Sequence, residues 1–198
     1  EVSELQLQRL IGQGRDPVTD QALGSPYRKY PTVTERVERR TARLDTGLPV
    51  TERAEAVAAI AAEESARGVR KAVAGFDFTF SIPKSASVLW AVSDAGTQSL
   101  IADAHHAAVA EMIAFIEREV AATRVGAAGR NGAVAQADVS GVIATAFDHY
   151  DSRAGDPHLH THVVISNKVQ TVHDGKWRSP DGRPLHAATV ALSELHEA

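Results

Sequence analysis

The chain has 198 residues, a formal net charge of −4 and no cysteine. That length suits one domain with a substantial core, and the missing thiols exclude disulfides and thiolate metal sites, leaving nitrogen and oxygen as metal donors. The acidic balance gives no overall attraction to a nucleic-acid backbone. No apolar run reaches about eighteen residues and no basic-then-apolar leader is present, so a soluble, cytoplasmic protein without membrane insertion is expected.

Residues 1–32 open with a helix-like stretch, Leu5 to Leu10, and then become rich in turn formers (Gly12, Gly14, Pro17, Gly24, Pro26, Pro31), which predicts mostly irregular chain. Arg36, Arg39, Arg40 and Arg43 form a basic run inside an acidic chain. Such a run is a solvated helix face more often than a phosphate track. Thr51 is placed to cap a helix that passes through Val57, Ile60 and Ala61 to Gly68, a C-terminal capping glycine.

Phe76-Asp77-Phe78-Thr79-Phe80-Ser81 alternates aromatic and polar residues with period two. This predicts a strand whose phenylalanines face a helix layer, with Asp77 and Thr79 on the opposite face. Pro83 ends it, and Lys84 to Val92 starts a helix. From Thr97 to Val120 the positions Ile101, Ala104, Ala108, Met112, Phe115 and Ile116 follow helical spacing. His105 and His106 then fall on or beside an ordinary amphipathic surface, with no chemistry assigned to them.

Gly126, Gly129 and Asn131-Gly132 predict a turn, followed by strands at 133–138 and 140–149. The second of these presents Ile143, Thr145, Phe147 and His149 on one face. A further strand covers about 158–169, and Asp174-Gly175 allows Lys176-Trp177-Arg178 to pair back as a hairpin. Strands, then helices, then strands again give the α+β class, an antiparallel sheet flanked by helices. Glu1 at the start and a helical, uncapped end at Ser193–Ala198 read as one domain, 1–198, cut from a longer protein.

The densest chemistry lies at the end of this series. His149, His158, His160 and His162 place four of the nine histidines within fourteen residues. A strand turns alternate side chains to one face, so His158, His160 and His162 point the same way, and alternation alone does not choose among them. Clustered neutral imidazoles suit a divalent ion and leave coordination positions open for water or a substrate oxygen.

Two motifs, Gly75-Phe76-Asp77-Phe78-Thr79-Phe80-Ser81-Ile82-Pro83-Lys84-Ser85 and the run from His149-Tyr150-Asp151 through Asp156-Pro157-His158-Leu159-His160-Thr161-His162, resemble the internal signatures of MobF-class conjugative relaxases. That class belongs to the His-hydrophobic-His endonucleases. The resemblance implies a palm-like relaxase fold and a DNA nickase that cuts single-stranded DNA at a transfer origin through a tyrosyl-DNA link. It implies His149, His160 and His162 as ligands of a divalent ion (Mg, Mn or Zn), with His158 a bystander. Asp77 matches the acidic residue that orients a ligand and helps deprotonate the tyrosine.

Lys84, Ser85 and Arg153 are candidates for DNA phosphate or structural contacts, and Asp156 for setting the turn before the strand. Single-stranded DNA is the implied partner, with relaxosome accessory proteins. The nucleophile is not assigned. Tyr27 and Tyr30 are flanked by Pro26 and Pro31, which disfavour a helix, and Tyr150 points away from His149 on a strand. The tyrosine segment is therefore expected upstream of Glu1, leaving this fragment inactive without it. Two other readings share the histidines: a metallohydrolase using metal-activated water, and a non-catalytic DNA-binding module stapled by its metal.

Overall fold

The computed structural model describes residues 2–126 and 133–197, so the turn expected at Gly129 and Asn131-Gly132 lies outside the described residues. The chain forms two compact units, one of Glu1–Pro26 with Ala74–Ala198, the other of Tyr27–Val73.

The first unit is built on a three-stranded antiparallel sheet of order β1-β5-β4, comprising β1 (Gly75–Ser81), β4 (Ala144–Asp151) and β5 (Pro157–Ser166). The period-two pattern of β1 is realised as expected. Phe80 is buried, and Phe76 and Phe78 pack beside it against the core, while Asp77 and Thr79 face the other way. Gly75 starts the strand because a Cβ there would meet the Ile165 carbonyl oxygen at 2.5 Å, so only glycine lets β1 lie against β5.

Helix α4 (Lys84–Val92) follows Pro83, as the sequence suggests, and α5 (Ala95–Phe115) is capped by Asp94, whose side chain accepts from the Gly96 and Thr97 N–H groups. A wider π-type turn over Ile116–Val120 extends α5. By length and composition Ala95–Val120 is long and apolar enough to cross a membrane. Here Val109, Met112 and Ile116 lie instead in the core with Phe80, Val163, Ile165, Leu185 and Leu192. The last two come from α6 (Gly182–Ala187) and α7 (Thr189–Glu197).

The inward stripe of α5 is His105, Val109, Met112 and Ile116, so the placement of His105 on the helix surface is corrected: it is 3% exposed. The reason is compositional. Alanines surround α5 on every side, so helical spacing alone did not fix which face turns inward.

Smaller elements complete this unit. Helix α1 (Glu4–Leu7) runs into a wider turn, Gln8–Gln13, that ends at Gly14 with φ 65°. Strand β2 (Ala122–Gly126), not foreseen, pairs with β3 (Val134–Asp138). The foreseen hairpin exists as β6 (Val169–Gln170) with β7 (Trp177–Arg178), and Arg178 bonds Asp174 across the turn.

The second unit pairs α2 (Val33–Thr41) with α3 (Val50–Ala66). Thr32 and Glu35 close α2 in a reciprocal capping box. Thr51 is not the cap of α3: Pro49 holds that position, and Thr51 lies inside the first turn. A proline there suits the chain because its missing N–H has no partner to lose at a helix start. Gly68, with φ 67°, does follow the helix in the left-handed conformation expected of it.

Candidate metal centre

The register of β4 against β5 creates the site. His149 pairs directly with His160, and Phe147 with His162, so the imidazoles of His149, His160 and His162 rise from one sheet face. Their ring centroids form a nearly equilateral triangle with sides of 5.1, 5.0 and 5.3 Å. One ring nitrogen from each lies within 4.8 Å of the others. His160 is buried, His162 half-buried and His149 exposed, so the trio has a closed floor and an open side.

Two of the rings are oriented by hydrogen bonds that decide which nitrogen stays free. The His158 carbonyl can only accept, so His160 Nδ1–H donates to it at 2.7 Å and Nε2 keeps its lone pair. His162 Nδ1–H likewise donates to the Asp77 carboxylate, at 3.0 and 3.1 Å, with Thr79 Oγ1 at 3.2 Å. A carboxylate behind a histidine is the arrangement that fixes a ligand's tautomer and raises its basicity. Asp77 thus stands one layer out from the trio, held there by the pairing of β1 with β5. Three free imidazole nitrogens, with no thiol and one open side, fit a divalent ion.

His158 belongs to the same strand face but stands outside the convergent group. Its ring stacks on that of His160 with centroids 4.7 Å apart.

Beneath the trio, on the helix side of the sheet, lies a network that sequence reasoning missed. The Thr161 hydroxyl donates to Asp148 Oδ1 at 2.6 Å and accepts from His105 Nε2–H at 2.8 Å. His105 Nδ1 then accepts from His196 Nε2–H at 3.1 Å, and His106 Nε2–H donates to Asp148 Oδ2 at 3.0 Å. Thr161 lies between His160 and His162, and Asp148 precedes His149, so the network ties β4 to β5 directly behind the ligand positions. Burial, aided by the neighbouring histidines, pushes His105 down from its ordinary 6.5 to about 4, which keeps the ring neutral and able to serve as both donor and acceptor.

The loop between β4 and β5 is closed by charge. Lys84 pairs with Asp156 and donates to the Pro157 carbonyl at 2.8 Å, and Ser152 also donates to Asp156. The ammonium of Lys84, then the Ser152 hydroxyl, hold the Asp156 carboxyl down to about 2. Asp156 therefore sets the turn, as read, and anchors α4 to the start of β5 as well. Of the three residues read as phosphate contacts, Lys84 is engaged in this anchor, while Ser85 and Arg153 are exposed.

Tyr150 stacks on Trp90 with centroids 5.5 Å apart and planes 12° from parallel, on the face away from the histidines. Tyr27 and Tyr30 lie on non-helical chain in the two-helix unit.

Fold and site together describe an α+β domain with a three-histidine centre of the His-hydrophobic-His kind on its open sheet face. The chain belongs to the TrwC relaxase family, whose family model it matches over residues 1–198. It is 38% identical over 112 residues to the multifunctional conjugation protein TraI of Escherichia coli, and 37% identical over 105 residues to TraI of Escherichia coli strain K12. Those matches take in 57% and 53% of this chain but 6% of each relative.

Among solved structures, the metal-bound complex of conjugative relaxase TrwC with oriT DNA is similar, at 31% identity and TM-score 0.55, over 65% of this chain and 43% of that one. A copper-bound complex of TrwC with oriT DNA matches at 32% identity and TM-score 0.55, over 67% and 43%. TrwC bound to a 27-mer with the recognition hairpin and cleavage site matches at 33% identity and TM-score 0.52, over 62% and 41%. The chain thus spans less than half the length of these relatives.

Proposed function

We propose that this chain is the metal-bearing part of a relaxase that nicks single-stranded DNA at a transfer origin during conjugation. The observation that carries the reading is the convergence of His149, His160 and His162 with Asp77 fixed behind one of them. Its support from relatives is the binding of oriT DNA and metal by TrwC.

In this reading His149, His160 and His162 hold a divalent ion, of the Mg, Mn or Zn type. The ion, when bound, neutralises charge that builds on the phosphoryl oxygens. Asp77 keeps His162 turned with Nε2 outward and is the base nearest the trio for a tyrosine proton. The tyrosine oxygen attacks phosphorus, the bond from phosphorus to the 3′ oxygen breaks, and the 5′ phosphate stays on the tyrosine, which stores the bond for rejoining. Ser85 and Arg153 offer exposed donors to the DNA backbone, and Lys84, through Asp156, shapes the loop that carries Arg153.

Tyr150 is committed to Trp90 on the opposite face, so we draw the attacking tyrosine from a segment outside this chain. We place the protein in the cytoplasm, with relaxosome accessory proteins around it. A metal that merely staples the sheet is disfavoured by the network behind it, which already joins β4 to β5.

The test uses the full-length parent protein, an oligonucleotide from its own transfer origin, and manganese or magnesium. A protein–DNA adduct that survives denaturation is expected, and His160→Ala should abolish it. Cleavage to a free 5′ phosphate without any adduct would point to metal-activated water instead and overturn the reading.

A further inference from the structure

We infer that the two-helix unit carries a second, metal-independent phosphate site, a cleft of arginines that holds the backbone of the same single-stranded DNA. This rests on the DNA reading above. The cleft measures about 580 Å³ and is lined by six arginines, Arg36, Arg39, Arg40, Arg43, Arg67 and Arg70, with Glu64 as its one carboxylate. The chain as a whole carries a net charge of −4, so such a concentration of guanidinium groups does not follow from composition. Arg36, Arg39 and Arg40 on α2, with Arg43 just beyond its end, also put like charges close together, an arrangement that opposes helix formation when nothing compensates it.

The six do different work. Arg36 bonds Glu64 through Nε at 2.7 Å and also donates to the Pro31, Glu64 and Gly68 carbonyls. Arg40 bonds Glu64 at 2.9 Å and Glu63 at 2.7 Å, and Arg67 reaches Glu64 at 3.4 Å. Glu64 is 2% exposed and the Arg36 side chain 14%, so their pair forms a buried floor, with Arg40 and Arg67 reaching it from more open positions. Arg39 and Arg43 are exposed and make no ion pair or hydrogen bond among the described residues. Arg70 is also exposed and has no carboxylate partner there; its guanidinium lies 5.6 Å over the Tyr30 ring, with that of Arg28 at 5.3 Å.

Three guanidinium groups with unmet donors therefore stand round a concave surface whose floor is already fixed. Each presents a planar fork of N–H groups matched to two phosphate oxygens, and grouping them in a cleft focuses their field. The half-buried Tyr30 beside Arg70 adds an aromatic ring of the kind on which an unpaired base stacks, which favours a single strand over a duplex. A solvated helix face has neither the concavity nor the buried carboxylate that organises this one.

The test is anisotropy of a labelled, mixed-sequence single-stranded oligonucleotide titrated with the whole chain in EDTA, at salt concentrations from roughly 50 to 200 mM. With Arg39, Arg43 and Arg70 all changed to Gln, the slope of log affinity against log salt should fall by roughly 0.7 per lost phosphate contact, about 2 in total. Changing the same residues to Lys should keep most of the slope, because the charge remains. An unaltered slope in the Gln variant, or no binding by the parent in EDTA, would overturn the inference. Neither result bears on the histidine reading, which is judged by metal-dependent adduct formation.

Discussion

At the scale of single residues the chemistry turns on which imidazole nitrogens are free. His160 and His162 are each committed at Nδ1, to the His158 carbonyl and to Asp77. Asp77→Asn keeps the shape but weakens the acceptor, and should lower manganese affinity about 10- to 100-fold in a calorimetric titration. His158→Ala should leave that affinity within a few-fold, because its ring only stacks on His160. An equal loss from both variants would show that His158 is a ligand. This much was legible in the sequence: alternation put His158, His160 and His162 on one face, and Asp77 away from the phenylalanines. What alternation could not supply was the choice of His149 over His158, which depends on the cross-strand pairing of His149 with His160. His105, Thr161 and Asp148 were not legible either, since they meet across 56 and 13 residues of chain and carry no local pattern.

At the scale of elements, β5 is the piece on which everything rests, packed by α5 on one side and bearing the histidines on the other. Ile165→Ala removes a fully buried side chain from that contact and should cost about 2–5 kcal/mol in denaturant unfolding. The network behind the ligands adds a pH dependence. His105 is lowered from 6.5 to about 4, so the folded state resists a proton that the unfolded chain accepts. Stability from this group is complete above about pH 6.5 and is lost as pH falls toward 4. Thermal melts between those limits should fall steadily for the parent and more shallowly for His105→Gln; identical slopes would remove His105 from the account. The strand of β1 was legible because its side chains alternate cleanly. Strand β2 was not, because Ala122–Gly126 is short and half polar, and it is defined only by its partner β3.

At the scale of the whole molecule, two compact units carry two kinds of polar chemistry, converging imidazoles in one and clustered arginines in the other. The division was not readable from composition, since no low-complexity linker marks Pro26 or Ala74. Glu64 is held down to about 2, first by Arg36 and then by Arg40. Its contribution is therefore present above its ordinary 4.5 and lost as pH falls toward 2, which should show as acid unfolding of the two-helix unit followed by proteolysis within 27–73. Removing metal should have a different signature. The apolar core and the His105 network hold the sheet without an ion, so chelation should abolish adduct formation while changing the melting temperature little.

The most direct measurement is a manganese titration of the metal-free chain and of its single histidine variants, followed by calorimetry. One ion per chain is predicted, with His149→Ala, His160→Ala and His162→Ala each weakening it by at least about 100-fold and His158→Ala leaving it nearly unchanged. Failure of the parent to take up an ion, or retention of full affinity when His149 or His162 is removed, would contradict the account.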